Sequence, residues 1–489
     1  MTIAVRCGRA AALTAIGCVL ASAAARTALA DPAADPDPAA ALASAREALG
    51  FARAGQSVIH YRAQTAAEQN YQSDRSYPPF FSAMTVKEAW FDPASGVERA
   101  ALETTYPGSP ASLQVVAGDA GRAFAMTKDG ARPLPFSAVR ARYLNPWAVI
   151  ADWSAARDIR SGGREPYRDY KRLVLIRTTP EGEQRLFLDV KTGFPVKLAL
   201  VEKHYLWGQR SIEYVYSNWT ALAGVMVAAS SFRLADGKTE TSQTIGTVEL
   251  VSRAAAPALA LPAQPDRSPD ALPGFLQPLD VTAIQVSPNT YLLSNPGYTE
   301  AVTRVGDEVI VFDATQGEDR ARKDAEAIAR IFPGAHKVTV VVTDLAWPHI
   351  SGVRYWVASG ATIVTHTAAC EFLRRVIDRR WTVSPDLLER RRATVKLKLV
   401  GVDATYKLAS GAVSLHPIDG IGTETALLGY VSADRFLWAS DYIQTLSEPT
   451  SYAAEVISAV RQHGLTPERA AAEHLPLTPW SQLEPLGQR

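Results

Sequence analysis

The sequence predicts a β-rich domain followed by an α/β domain, and three observations carry that expectation. The chain is 489 residues long, which at about 100–200 residues per domain suggests two or three domains. Residues 254–274, AAAPALALPAQPDRSPDALPG, hold five prolines and no periodicity, the composition of a linker. The patterning also changes across it. Short strand-like runs separated by polar turns precede the linker, and strands alternating with helices follow it.

In the first half, Ala39 to Ala54 has the character of a helix. Arg172-Leu-Val-Leu-Ile-Arg, Arg185-Leu-Phe-Leu-Asp-Val and Ser211-Ile-Glu-Tyr-Val-Tyr then read as strands, divided by turns such as Thr179-Pro-Glu-Gly-Glu and Lys191-Thr-Gly-Phe-Pro. Successive strands of this kind suggest a curved antiparallel sheet. In the second half, Val309-Ile-Val-Phe and Val338-Thr-Val-Val-Val read as buried strands, with a helix from Glu318 to Ile331 between them. A helix from His349 to Val357, a strand at Ala361-Thr-Ile-Val and a helix from Ala368 to Ile377 follow. Leu427-Leu-Gly-Tyr-Val and Arg435-Phe-Leu-Trp-Ala are later strands.

Composition excludes several classes. Apolar residues make up 47% and charged residues 21%, ordinary for a globular chain. A formal net charge of +1 gives no electrostatic case for nucleic acid. The N-terminus reads as a secretory signal peptide: Arg6 and Arg9, a small apolar run from Ala10 to Ala25, and a small-x-small site at Ala28-Leu29-Ala30. Cleavage after Ala30 places the protein in the periplasm or outside the cell and leaves 48 basic against 50 acidic residues. Cys18 offers the alternative of a lipoprotein site. No integral membrane segment is expected after cleavage, because no later stretch is long and apolar enough. Cys7 and Cys18 depart with the signal, so Cys370 is expected as a lone buried thiol. The expected organisation is signal 1–30, β-rich domain 31–253, linker 254–275 and α/β domain 276–489.

One pattern in the second half carries chemistry. Val340-Val-Val-Thr-Asp-Leu-Ala-Trp-Pro-His-Ile-Ser-Gly352, followed by Gly360-Ala-Thr-Ile-Val-Thr-His366, resembles the metallo-β-lactamase superfamily, where a strand ends in Thr-His-x-His-x-Asp-His. Val311-Phe312-Asp313, Trp438-Ala-Ser-Asp441 and Glu473-His474-Leu-Pro follow the order of that family's other site segments. The resemblance spans about residues 280–485. It implies an αββα sandwich and a site for two zinc ions, which lower the pKa of a shared water and polarise the bond under attack.

The ligand set departs from that pattern. Asp344 stands at the first histidine position, Ala346 at the second and Pro348 at the aspartate position. In Gly420-Ile421-Gly422-Thr423-Glu424, Gly422 replaces the third histidine. The first metal position is therefore lost. The second keeps His349, the bridging Asp441 and His474, a legitimate set for at most one zinc, with Asp344 as a candidate fourth ligand or general base. Asp313 corresponds to a carboxylate that orients a ligand histidine, or else serves as a turn carboxylate at a strand end. Three readings of the site follow: a metal-free relic acting in binding or scaffolding, a single-metal hydrolase of an ester, lactone or amide, and a metal-free catalytic site using Asp344, His349 and Asp441.

Other features are less specific. Trp347 is expected to pack. The arginines at 374–375, 379–380 and 390–392 suit solvated helix faces, or a basic rim for an acidic ligand. In the first half, Leu188-Asp-Val-Lys-Thr-Gly-Phe-Pro-Val-Lys with Tyr214-Val-Tyr-Ser-Asn-Trp resembles half-barrel domains of the periplasmic lipoprotein-carrier type. That implies a groove for a small molecule, lipid or peptide, and with it a third reading of function, a periplasmic carrier.

Overall fold

The computed structural model describes residues 5–6, 35–68, 82–106, 111–134, 136–179, 182–262, 280–334, 337–418, 425–446 and 451–488. The molecule is mostly β sheet with some helices. The signal segment from Cys7 to Ala30 and its cleavage site lie outside the described residues, as do Gly422, Glu424 and most of the linker. The described remainder of the linker, 254–262, has neither helix nor strand. Val5–Arg6 pair antiparallel with Gly401 and Val400. Among the described residues no helix is long and apolar enough to cross a membrane.

The first half is one antiparallel sheet of thirteen strands. It consists of two meanders joined where Ser57–Glu68 pairs with Lys238–Ser252. Helices Pro38–Ala48 and Pro146–Ala155 pack on one face and bury Leu42, Trp147, Ile150 and Trp153 against Tyr61, Phe91, Leu186 and Tyr214. Asn145 starts the second helix by accepting from Trp147 N at 3.0 Å, and Pro146 fits the first turn, where no donor is needed. The single helix expected over Ala39–Ala54 is broken in two. Gly50 adopts φ +83°, and a Cβ there would meet Gly224 O at 3.0 Å. A left-handed residue ends an α-helix.

The second half holds an eight-stranded sheet and a six-stranded sheet. Strands Glu308–Phe312, Lys337–Val342, Thr362–His366 and Lys398–Val402 run parallel. Their runs are apolar on both faces, as a buried parallel sheet requires. Ile310, Phe312 and Val341 meet Leu415, Leu427 and Trp438 of the other sheet. Val309, Val311 and Val340 face the opposite way, toward helices Glu318–Ile331, Val353–Ala358 and Cys370–Asp378. Helix Ser451–Gln462 covers the outer face of the six-stranded sheet. Gly429 permits the close approach of the two sheets, since a Cβ there would lie 2.1 Å from Phe312 Cε1. The expected His349–Val357 helix is also split, into Trp347–Ile350 and Val353–Ala358. Between them Gly352 N donates to Ala314 O at 2.7 Å. Cys370 is buried and, in the full chain, disulfide-bonded; the other two cysteines, Cys7 and Cys18, lie outside the described residues, and the lone thiol was expected only after cleavage at Ala30.

The two halves meet at a hairpin tip. Strands Pro195–His204 and Gly208–Leu222 are joined by Tyr205-Leu206-Trp207, and Leu206 is fully buried within the core of the second half. Trp207 stands edge-on to Trp347 at 5.7 Å and to Phe372 at 5.6 Å. Gln209 Nε2 donates to Arg380 O and Thr382 Oγ1, and Arg379 donates to Gln209 O and Asp236. Arg380 and Arg392 bind Glu389, and Arg390 binds Glu318. These arginines tie down local structure and the junction between the halves.

Candidate metal centre

The site gathers at the carboxyl ends of strands from both sheets. Asp344 follows strand Lys337–Val342, and His349 sits on the short helix after it. Ala314 N donates to His349 O at 3.0 Å and Gln316 N to Pro348 O at 2.8 Å, so the loop after Glu308–Phe312 braces this segment. Pro348 occupies the first turn of its helix, where a missing N–H costs nothing. Asp441 follows strand Phe436–Trp438, and Glu473 and His474 follow Arg469–Ala471, which pairs parallel beside it. Glu473 N donates to Ser440 O at 2.9 Å, and Thr299 N donates to Glu473 O at 2.8 Å.

Four side chains converge there. One ligand-type atom from each of His349, Asp441, Glu473 and His474 lies within 4.8 Å of all the others. His349 is fully buried. Its Nδ1 lies 3.0 Å from Asp344 Oδ2 and 2.7 Å from Glu473 Oε2, while its Nε2 has no hydrogen-bond partner. Neither oxygen of Glu473 makes a hydrogen bond of good geometry. His474 Nδ1–H donates to Gly297 O at 2.7 Å, which leaves the Nε2 lone pair toward Asp441 Oδ1 at 3.5 Å. A histidine fixed through one nitrogen by a carboxylate or a carbonyl presents the other nitrogen as a ligand. The cluster opens to solvent on one side, where His474 is 30% exposed and the Tyr298 ring stands 4.9 Å from it.

Acid exceeds base in this enclosure. Burial disfavours a charged His349, but Asp344, Glu473 and Asp441 outweigh burial and hold its pKa well above the ordinary value. Burial would raise the Asp344 carboxyl, but His349 holds it below the usual carboxylate range. Glu473 is pushed well up by burial, with only partial relief from His349. Burial and the charge of Asp344 push Asp313 up to about 7.

A relay connects Asp313 with Asp344. Asp313 Oδ2 lies 2.6 Å from Thr343 Oγ1, Thr343 Oγ1 lies 2.7 Å from Ser440 Oγ, and Ser440 Oγ lies 3.0 Å from Asp344 Oδ2. Two hydroxyl protons cannot fill three oxygen–oxygen contacts. A proton on Asp313 completes the chain, with Thr343 donating to Ser440 and Ser440 to Asp344.

The sequence-predicted residues fare differently. His349, Asp441 and His474 come together. Asp344 does not join them as a fourth donor: it is 2% exposed, and its oxygens take the Ala346 N–H, Ser440 and His349. Asp313 contacts Thr343 and Trp438, whose Nε1 donates at 2.7 Å, and no histidine. Ala346 offers no donor atom, and Pro348 supports a backbone turn. His366 accepts from Ala368 N, and the His416 ring stands tilted 4.7 Å from that of His463, beside Ser414. Trp347 packs against His204 and Trp207 of the first half. Three participants were missed: Glu473, Ser440 and Tyr298. Glu473 was legible only as the neighbour of His474, Ser440 only as the neighbour of Asp441, and the Pro296-Gly297-Tyr298 turn carried no chemical signal.

No family model and no curated protein matches the chain. Among solved structures it is similar to TMB-1, with 11% identity over 43% of this chain and 96% of that one and a TM-score of 0.34. The DIM-1 metallo-β-lactamase gives 9% identity over 43% and 97%, with a TM-score of 0.34. A metallo-β-lactamase from Hirschia baltica gives 8% identity over 43% and 97%, with a TM-score of 0.33.

Proposed function

We propose that the second half is a metallo-β-lactamase-type αββα sandwich that has lost one metal position and keeps the other as a single-ion centre of the hydrolase type. In this reading the chain is exported, its signal ends at Ala30, and the first half is a half-barrel. The observation that carries the proposal is the buried, unpartnered Nε2 of His349, left free while Asp344 and Glu473 both hold the Nδ1 edge. A buried polar atom without a partner costs about 1–3 kcal/mol. Two imidazoles and two carboxylates form a donor set suited to zinc. His349, Asp441, Glu473 and His474 would hold the ion, with Glu473 taking the place that sequence reasoning gave to Asp344. When bound, such an ion polarises a carbonyl as a Lewis acid.

The remaining chemistry belongs to the chain. Asp344 fixes the ring of His349 through Nδ1, and Gly297 O fixes that of His474. Tyr298 and the exposed edge of His474 form the entrance at which an ester, lactone or amide would approach. No second ion has donors at Ala346. The scaffolding reading predicts instead that no metal is held.

The test is elemental analysis of the full mature chain, purified without chelator, beside His349→Ala and Glu473→Gln. The proposal expects about one zinc, iron or manganese per chain, lost in His349→Ala and depleted in Glu473→Gln, together with turnover of nitrophenyl esters or lactones that follows the metal. Metal at background level in the unaltered chain would return the site to a relic held by hydrogen bonds and packing.

A further inference from the structure

The first half encloses a cavity of about 430 Å³ between its sheet and the segment 138–144. That volume falls in the range of small-molecule sites. Its lining is unusual in charge. Lys87, Arg140, Arg142 and Arg233 face it together with only two carboxylates, Glu98 and Glu202. Lys87, Arg140, Arg142 and Glu98 are each less than 9% exposed. Burying charge is expensive, and a packed apolar core of the same volume would often be at least as stable. A fold that keeps charges around an open space has not minimised its energy there, which marks the space for a ligand.

The hydrogen-bond inventory sets the sign of that ligand. Glu98 is saturated: it accepts from Lys87 at 2.6 Å, from Tyr61 at 2.7 Å and from Asn145 at 2.8 Å. An incoming cation would find little acceptor capacity on it. The other lining carboxylate is engaged as well: Glu202 pairs with Arg140 at 3.2 Å and with Arg233 at 3.6 Å. Arg142 Nε is buried without a partner. The acids that balance this charge, Asp152 behind Arg142 and Glu240 behind Arg233, do not line the cavity. The remaining wall is apolar, with Leu102, Val116 and Leu144.

We propose that this cavity binds a small amphiphilic organic anion, its charged group held by Arg140, Arg142 and Arg233 and its apolar body seated on Leu102, Val116 and Leu144. The site is independent of the metal centre. It differs from a groove for an uncharged acyl chain, which has no use for buried guanidinium groups.

The test uses two dyes that share a ring body and differ in charge: 8-anilinonaphthalene-1-sulfonate and the uncharged N-phenyl-1-naphthylamine. Each is titrated by fluorescence and calorimetry into the full mature chain under native conditions. The proposal expects one saturable site for the sulfonate, tighter than for the uncharged dye by about tenfold or more, a difference of about 1.4 kcal/mol. Arg140→Gln should bring the two affinities together, and Leu102→Trp, which fills the cavity, should abolish sulfonate binding. Equal affinity for both dyes, or no saturable binding, overturns the proposal. So does unchanged sulfonate binding in a Leu102→Trp protein that melts normally. If Leu102→Trp melts early, the dye ratio in the unaltered chain and in Arg140→Gln decides the matter.

Discussion

Asp344 holds His349 by its Nδ1 edge at 3.0 Å, and the opposite ring nitrogen ends in a buried space with no partner. A carboxylate that grips one edge of an imidazole sets its tautomer and aims the other edge. Asp344 is therefore an orienting group for the His349 ring. Glu473 Oε2 meets the same Nδ1 edge at 2.7 Å, so two carboxylates hold this side of the ring.

Glu473 and Asp344 should separate on substitution. Glu473→Gln keeps the shape of a donor but removes its charge, and should lower zinc occupancy after dialysis. Asp344→Asn should leave a site that still fills at high zinc but with affinity reduced about 10–100-fold, the usual effect of altering a residue that orients a ligand. Competition against a chromophoric chelator measures both. Identical curves for the two variants and the unaltered chain would remove the metal from this site.

Asp313 should impose a slope on stability against pH. Its carboxyl titrates near 3.8 when free and is pushed up to about 7 in the folded chain. The folded state then binds the proton more tightly than the unfolded state does. The stabilisation is complete below about pH 4 and is lost as pH rises through 7. Asp324 and Asp152, both pushed up to about 6 by burial, act in the same direction. Asp313→Asn should therefore flatten part of the fall in Tm between pH 4 and 8. It should also lower Tm throughout, because Trp438 Nε1 loses its acceptor, at about 1–3 kcal/mol. Calorimetry across that range reads both effects.

Gly208 should not tolerate a side chain. Its φ is +71°, and a Cβ would lie 2.3 Å from the Trp381 ring of the other half. Gly208→Ala should cost about 1–3 kcal/mol from overpacking, together with the left-handed strain of about 1–2 kcal/mol. The expected signature is earlier proteolysis between the halves and a shift in tryptophan emission, while the thirteen-stranded sheet keeps its far-ultraviolet circular dichroism. An unchanged proteolytic pattern would mean that the hairpin tip does not hold the halves together.

Gly429→Ala should strike the contact between the two sheets of the second half. The new methyl would overlap Phe312 Cε1 at 2.1 Å, and overpacking of this kind costs about 1–3 kcal/mol or more. Adding Phe312→Leu should restore part of the loss, because the smaller side chain vacates the overlap. Denaturant melts of the single and double variants test the coupling. Strict additivity would place the strain elsewhere.

Much of the second half was legible because its signals are local. The Glu318–Ile331 helix and the Leu427–Val431 strand appear with the bounds that sequence patterning assigns them. Periodicity and flanking breakers alone specify such elements. The broken helices were not legible. Gly50 and Gly352 are unremarkable in a helical pattern until Gly224 O and Ala314 O approach them from distant parts of the chain. The disulfide at Cys370 in the full chain was hidden for a different reason, since the expected loss of the signal removes Cys7 and Cys18, the two candidate partners.

The sequence by itself determined the residue types and their order: His349, Asp441 and His474 each placed just beyond a strand or on the turn after one, with donors missing at Ala346 and Pro348. It also determined the alternation of strand and helix that stacks those strand ends. Only the tertiary structure decided that Glu473 faces His349, that Asp344 turns inward to fix a ring, and that Leu206 of the first half completes the core of the second. Those outcomes depend on the through-space meeting of segments far apart in the chain. Packing and burial select such meetings, and no local pattern encodes them.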